Sequence, residues 1–459
     1  MRTYSEKNEV LELICNASNR GNLGMFVGAG FTKAVLEGND QYEVYAWNEL
    51  LKKCCNKMKV SIDIPDKNGD YPIIASTICK QYANNEGISY EDAISFLKKT
   101  IAEFTNVYPT TDANNLYQDL FKKINISWIT TTNYDTVLEN IFIGHCLPIS
   151  SYECFVNVND MIPIYHIHGI RTIPESIVIT QEDYISLFRP NDYRQSRLPF
   201  LIKESIVLMV GYGLGDMNVI TAVDWSKNVY TNISENCDTE IVQLLYTESP
   251  KDKPYRDSSG VIVVEITDLP SFFNDLNTFY DVYSTNYEKK QEEVNKYIGM
   301  FISSTEESID DFITNKNNIR KNTIKFIADL NVEFSYIYPG YLSFLQAVIL
   351  ELNKRSEPYN AFEAYNEKII VLIDIFEKLN IRKVPPAFFS LIAEAFDSVA
   401  YYIEDTAGIY LKGNAWEATD TWHNNKSRIP KGIVNELLLY SHSKKWPCTH
   451  IERLLKEQK

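Results

Sequence analysis

No C-x-x-C pair occurs in the 459 residues, and the eight cysteines (Cys15, Cys54, Cys55, Cys79, Cys146, Cys154, Cys237 and Cys448) fall short of the density of a disulfide-stapled scaffold. The thiols therefore read as reduced and mostly buried. Positive charge is in deficit. Lys and Arg total 45 against 61 Asp and Glu, and the resulting formal charge of −16 excludes an extensive phosphate-neutralising surface for nucleic acid. Nowhere is there an apolar run long enough for a bilayer span or a secretory signal core, and the opening MRTYSEKNEVLELICNASNR alternates charged with apolar residues. A cytoplasmic protein without membrane association is expected. Histidine is scarce, six in the whole chain, so a histidine at a turn carries information.

What is present is ordinary globular composition, 45% hydrophobic and 23% charged, in a chain longer than the roughly 100 to 200 residues of one domain. From Gly24 to about Phe279, short β-rich apolar runs alternate with amphipathic helical stretches, which predicts a Rossmann-like, doubly wound parallel α/β sheet. Candidate strands are Gly24–Gly28, Ser127–Thr131, Ile164–His166, Ile177–Ile179, Ile206–Val210, Ile241–Tyr246 and Val261–Ile266. A helical insertion is expected at about 40–123, between the first two strands. After Tyr280 the strand pattern stops and helical spacing takes over. The expected division is residues 1–283 for an α/β domain and 284–459 for an all-helical one.

Four turns carry chemistry. Gly28-Ala29-Gly30-Phe31-Thr32 follows the first strand and opens a helix, where glycines let the backbone approach a pyrophosphate and the helix N-terminus favours an anion. The same Gly-rich turn also serves merely to fit a strand to a helix. Thr131-Thr132-Asn133-Tyr134-Asp135 ends the second strand, and in open α/β sheets ligands lie at the carboxyl ends of the strands. The Asn133 amide can orient a water or a ribose hydroxyl, while Asn133 or Asp135 could equally cap the next helix.

His166-Ile167-His168-Gly169 ends the third strand, and a neutral imidazole there suits a general base. A histidine satisfied in the core fits His166 better than His168, which adjoins the glycine turn. Zinc is the less favoured use of the pair, because no cysteine or carboxylate stands at ligand spacing. Gly211-Tyr212-Gly213-Leu214-Gly215-Asp216 forms a second close-approach loop after an apolar strand. Its glycines are the better cofactor candidates and Asp216 the better helix cap.

These motifs, GAG-F-T, TTNYD, H-x-HG and GYGxxD in that order at strand ends, resemble the SIR2 superfamily, and in particular the bacterial SIR2-like NAD-cleaving enzymes of anti-phage defence. The resemblance covers about Gly24 to Phe279. It implies NAD as substrate, contacts to the cofactor from Gly28, Ala29, Gly30 and Thr32, and catalytic roles for Asn133, Asp135 and His168. Thr132, Gly211, Tyr212, Gly213 and Asp216 complete the candidate cofactor-binding set. Two departures from protein-deacylating sirtuins stand out. The paired cysteines of their zinc module are absent, so no metal is expected, and FTKAVLEGNDQYEVYAW lacks their GIPxFR-type sequence, although Trp47 resembles the tryptophan of the defence branch.

The expected activity is an NAD glycohydrolase that releases nicotinamide and ADP-ribose and depletes cellular NAD in abortive infection. The alternatives are an NAD-dependent protein deacylase and a non-catalytic NAD or ADP-ribose sensor. A gate on such an enzyme is expected from a homo-oligomer, a defence partner ATPase or a phage-derived trigger protein. The helical domain offers apolar stripes for assembly at Tyr341, Phe344, Leu345, Val348 and Leu350, with aromatics at Phe388, Phe389, Phe396, Tyr401 and Tyr402, although most such residues pack within a domain.

Overall fold

Runs such as LGMFV and IVLMV have no polar face, so they form strands only where helices cover both sides of the sheet. A computed structural model describes residues 4–66, 69–150, 153, 160–187, 193–213, 224, 240–330, 332–358, 360–403, 415–443 and 449–455. The chain divides into two units, Met1–Thr285 and Asn286–Lys459.

The first unit holds an eight-stranded sheet: β1 (Leu23–Val27), β2 (Trp128–Thr131), β3 (Cys146–Ile149), β4 (Ile162–His166), β5 (Ile206–Val210), β6 (Ile241–Tyr246), β7 (Tyr255–Arg256) and β8 (Ile262–Ile266). Their order is β3-β4-β2-β1-β5-β6-β8-β7. All neighbouring pairs are parallel except β7 with β8. The chain passes from β1 to β2, out to the edge as β3 and back as β4 beside β2, then crosses to the far side of β1 as β5. That reversal leaves a crevice at the carboxyl ends of β1, β2 and β5, where open α/β sheets take ligands. This is the doubly wound class expected from the strand pattern.

Alternation along the strands sorts the core into two faces. Met25, Val27, Leu208 and Val210 pack with Val10, Leu11 and Ile14 of helix α1 (Lys7–Arg20) and with Phe272 and Phe273. Phe26, Val207 and Met209 face the other way, toward Trp128, Leu198 and Ile202. Short α2 (Ala29–Val35) follows β1 directly. Then come α3 (Trp47–Met58), α4 (Tyr71–Glu86), α5 (Tyr90–Phe104) and α6 (Thr111–Phe121). Side chains cap three of them, Asp70 on Ile73 N, Ser89 on Asp92 N and Thr110 on Ala113 N.

Helices α3 to α5 form the helical insertion, with a core of their own around Leu51, Cys54, Ile78, Leu97 and Ile101. Helix α6 instead joins the sheet core through Tyr117, Leu120 and Phe121. The expected strand Ile177–Ile179 is not a strand. Ile177 and Ile179 are fully buried in the insertion's core, while Val178 N donates to His168 O and Ile179 N to Asp183 Oδ2. This apolar run marks burial against helices, all three residues being buried, and it pairs with no strand among the described residues. Lys98 of α5 pairs with Asp183 at 2.7 Å, both largely buried, and ties this segment to the insertion. Strands β3 and β7 were not anticipated. The first is a half-buried edge strand containing Pro148, and the second has only two residues.

In the second unit the described elements are helical from Leu269–Ser303, whose later residues enter it, to Thr449–Leu455. Its core gathers Phe344, Leu345, Val348, Ile369, Leu372, Phe376, Phe396 and Trp422. Arg320 and Asp374 form an almost fully buried ion pair at 2.7 Å, and Arg320 also donates to Phe312 O and Ile313 O at a helix end. Of the candidate assembly residues, Tyr341, Phe344, Leu345, Val348, Phe388 and Phe396 are buried inside the unit, whereas Leu350 is exposed.

Gly24 of β1 lies opposite Trp128 of β2, and a Cβ there would meet the indole at 2.1 Å. The ring cannot retreat freely, because its Nε1 donates to Ser205 Oγ at 3.0 Å. Gly24→Ala is therefore expected to lower unfolding stability by about 1–3 kcal/mol through overpacking, read as a lower urea midpoint. An unchanged midpoint would refute this account of the β1–β2 contact.

Candidate active site

The turns after β1 and β5 press against each other. Gly28 N donates to Val210 O at 2.9 Å and Gly30 N to Gly211 O at 3.0 Å. A Cβ on Gly28 or Gly30 would lie 2.8 or 2.9 Å from Gly211 backbone atoms, and Gly211 itself has φ +81° with Phe31 N only 2.3 Å from its absent Cβ. Glycine is thus required at these positions by the contact between two turns. Since the Gly28 and Gly30 amides already have acceptors, they are not free donors for a phosphate.

Beside this junction β2 ends in a connected set of polar groups. Thr131 Oγ1 donates to Val27 O at 2.9 Å and accepts from Asn133 N at 3.0 Å. Tyr212 OH donates to Val27 O at 3.0 Å and lies 3.0 Å from Thr132 Oγ1, which leaves Thr132 as donor in that pair. Tyr212 and Thr132 thus join the carboxyl ends of β1, β2 and β5. Asn133 Nδ2 donates to Thr32 Oγ1 at 3.0 Å, and Thr32 in turn donates to Asp135 Oδ2 at 2.9 Å. Asp135 Oδ1 accepts from Val137 N at 3.0 Å and so opens helix α7 (Val137–Ile141). Burial raises the Asp135 pKa, against the lowering effect of the Val137 amide and the Thr32 hydroxyl. The Thr32 hydrogen is committed to Asp135, so this side chain orders the Asn133 turn instead of offering a free donor.

Ala29, Thr32, Thr132, Asn133 and Asp135 line one side of a cleft of about 570 Å³, its mouth included. Tyr45, Trp47 and Leu50 at the start of α3, with Phe104, Thr105 and Val107 after α5, line the other. Asn133 is 8% exposed, and with Nδ2 bound to Thr32 its Oδ1 remains as an acceptor on a cleft-lining residue. Glu43 also lines the cleft, held by the Tyr45 hydroxyl at 2.7 Å and Lys53 at 3.1 Å.

The two histidines have opposite surroundings. His166 places Nδ1 3.2 Å from Asn133 O and Nε2 2.6 Å from Glu139 Oε1. Burial alone would lower its pKa, but the Glu139 carboxylate, the Asn133 carbonyl and Asp135 raise it. His168 is 3% exposed, its Nδ1 is buried without a hydrogen-bond partner, and its ring packs edge-on against Trp47 and Tyr184 at 6.2 and 5.5 Å between centroids. Burial lowers its pKa to about 4. His168 does not itself line the cleft; Trp47 stands against both.

Of the candidate residues, the structure gathers Ala29, Thr32, Thr132, Asn133 and Asp135 around one cleft. Gly28, Gly30, Gly211 and Tyr212 form the packed junction behind it, and among the described residues no heavy atom beyond the chain neighbours lies within 4 Å of the position a Cβ would take on Gly213. Asp216, Leu214 and Gly215 lie outside the described residues. Sequence reasoning did not single out Glu139, Tyr45, Phe104 or Tyr184. Among the described residues no group of three His, Cys, Asp or Glu is placed to hold a metal ion; Cys154, Cys237 and Cys448 are not among them.

Residues 127–260 match the family model of the SIR2-like domain. The matched span begins just before β2, takes in TTNYD, HIHG and GYGLGD, and ends in the turn before β8, under a third of the chain. It supports the SIR2 superfamily resemblance for this region, and with it an NAD-related activity in general. No curated protein matches the chain.

The buried, neutral His168 has a consequence for acid stability. The unfolded chain protonates this imidazole near its ordinary value of 6.5 and the folded chain only near 4, so stability falls as pH drops through that window. His168→Gln is expected to remove up to roughly 3 kcal/mol of that loss. Urea midpoints of both proteins at pH 7, 6, 5 and 4 check this. Parallel declines would show that His168 is not the group responsible.

Proposed function

We propose that the first unit binds NAD in the cleft at the carboxyl ends of β1 and β2 and hydrolyses its nicotinamide–ribose bond. The observation that carries this reading is the Asn133–Thr32–Asp135 hydrogen-bond chain on the cleft wall, which joins two residues of the SIR2-like span through Thr32 on α2. NAD carries a cationic nicotinamide, so the bonding electron pair leaves with the ring nitrogen and nicotinamide departs neutral without acid catalysis. What remains is an oxocarbenium-like ribose that a nucleophile must meet from the opposite face.

Asn133 Oδ1 accepts a hydrogen bond from the attacking water, with Nδ2 anchored on Thr32 so that the acceptor points one way. As the water oxygen bonds to the ribose carbon its proton passes to a base, for which His168 is the candidate; burial keeps that imidazole neutral at pH 7 and thus able to accept. Asp135 holds Thr32, and through it Asn133. Ala29 and Thr132 stand where the remainder of the dinucleotide would run along the cleft. By its resemblance to anti-phage SIR2-like enzymes, the reaction would serve to deplete cellular NAD. The helical unit is then the candidate for homo-oligomer assembly, through surfaces other than the stripe residues already buried in its core.

The test is nicotinamide release from NAD by purified protein in the absence of any acylated peptide. Asn133→Ala and His168→Ala are expected to reduce the rate at least about 100-fold, and Thr32→Ser to retain most of it, because the hydroxyl survives. Circular dichroism verifies folding. Near wild-type release by folded Asn133→Ala would remove this residue from the mechanism, and release that required an acylated lysine peptide would replace hydrolysis with deacylation.

A further inference from the structure

His166 ends β4, in register with Thr131 of β2, and Glu139 lies on α7, so the strand beside β2 and the helix that follows the Asn133 turn each bring one ionisable side chain to it. Both nitrogens of the His166 ring face acceptors, the Asn133 carbonyl at 3.2 Å and the Glu139 carboxylate at 2.6 Å. A neutral imidazole has one N–H and can satisfy only one of them. The ring is fully buried, and Glu139 Oε2 is buried without a hydrogen-bond partner, so His166 is the group that answers this carboxylate.

We propose that His166 is an imidazolium clamped between Glu139 and the Asn133 carbonyl, and that this pair positions the Asn133 turn for the reaction proposed above. The inference rests on that reading for its effect on rate, and on the two acceptors for the charge itself. His166 and Glu139 touch neither substrate nor reacting atoms; they act through Asn133 and are positioning residues. The other titratable groups facing the pair among the described residues are Asp135, whose charge also favours the imidazolium, and Cys146 on β3. The Cys146 thiol is pushed up to about 11 by burial and by Glu139, so it stays neutral and does not compete for the carboxylate.

The sign of the pH dependence follows from which N–H is lost. When His166 gives up a proton at high pH, the remaining hydrogen stays on Nε2, where the carboxylate attracts it more strongly than a carbonyl does. Asn133 O then loses its donor and the turn loosens. Activity is fully present below the raised pKa of His166 and falls as pH rises through it. Glu139→Gln changes this outcome. A glutamine amide can donate to Nε2, which leaves the neutral ring with its hydrogen on Nδ1, aimed at Asn133 O at every pH.

The experiment combines two readouts on full-length protein. Nitrogen-15 NMR of histidine-labelled wild type is expected to show one ring with both nitrogens protonated at pH 7 that loses a proton only at a pH above the ordinary imidazole range. In Glu139→Gln that ring is expected to be neutral with the hydrogen on Nδ1. Nicotinamide-release kinetics are expected to show an alkaline limb in kcat for wild type that Glu139→Gln abolishes. His166→Phe should lower kcat about 10- to 100-fold with KM little changed, because a misplaced Asn133 costs orientation and not cofactor contacts. A neutral His166 in wild type at pH 7, or an alkaline limb that persists unchanged in Glu139→Gln, would overturn the proposal. If wild type releases no nicotinamide, the hydrolytic reading fails, and the nitrogen spectra alone decide whether the clamped imidazolium exists.

Discussion

The backbone contact between the turns that follow β1 and β5 is the constraint on which the site depends. Gly30 N donates to Gly211 O and Gly28 N to Val210 O, and the approach is so close that no Cβ fits on either side. Because β1 and β5 flank the point where the sheet winding reverses, this contact fixes the spacing of the strand ends that frame the crevice. Tyr212 extends the same junction sideways, from Val27 to Thr132 at the end of β2. The polar wall of the cleft is therefore built on a rigid seam of main chain, and its side chains are ordered by fixed neighbours.

On that seam every polar group next to Asn133 has an assigned partner. Thr131 holds its amide nitrogen, Thr32 its side-chain nitrogen and His166 its carbonyl. Two buried atoms nearby have no hydrogen-bond partner: Glu139 Oε2, beside His166, and His168 Nδ1, whose ring packs against Trp47 and Tyr184. A buried nitrogen without a hydrogen-bond partner costs stability, and the packing of the His168 ring against Trp47 and Tyr184 is what keeps the imidazole out of water. The two histidines of HIHG, only two residues apart, have their pKa values pushed in opposite directions by their surroundings: His166 upward by the Glu139 carboxylate, His168 downward by burial.

Much of this was legible in the sequence. IVLMV is apolar on both faces, as a strand of a covered parallel sheet is, and the expected bounds of IVLMV and IVQLLY agree with β5 and β6 residue for residue. Gly, Asn and His directly after such runs pointed to the carboxyl ends. The apolar-run reading failed at Ile177–Ile179, where the β-branched run is buried against the helices α3 to α5, a contact distant in sequence. It also passed over β3, whose proline and half-exposed face resemble a loop. The glycines of GAG were legible as a tight approach, yet not as an approach to Gly211, since a one-dimensional pattern cannot say what the backbone comes close to. Glu139 was invisible for the same reason: its partner His166 stands on another strand, and an acidic residue on a short helix looks solvated until the fold buries it.

Central to the account is that NAD enters this cleft and loses nicotinamide to water there. Proton NMR of NAD incubated with the purified full-length protein tests this most directly, because the nicotinamide ring and the ribose anomeric protons report both halves of the bond at once. The account predicts that free nicotinamide and ADP-ribose grow in equal amounts as NAD disappears, with no other substrate present. An NAD spectrum that broadens on binding but never changes in composition, or NAD consumed without free nicotinamide, would contradict it.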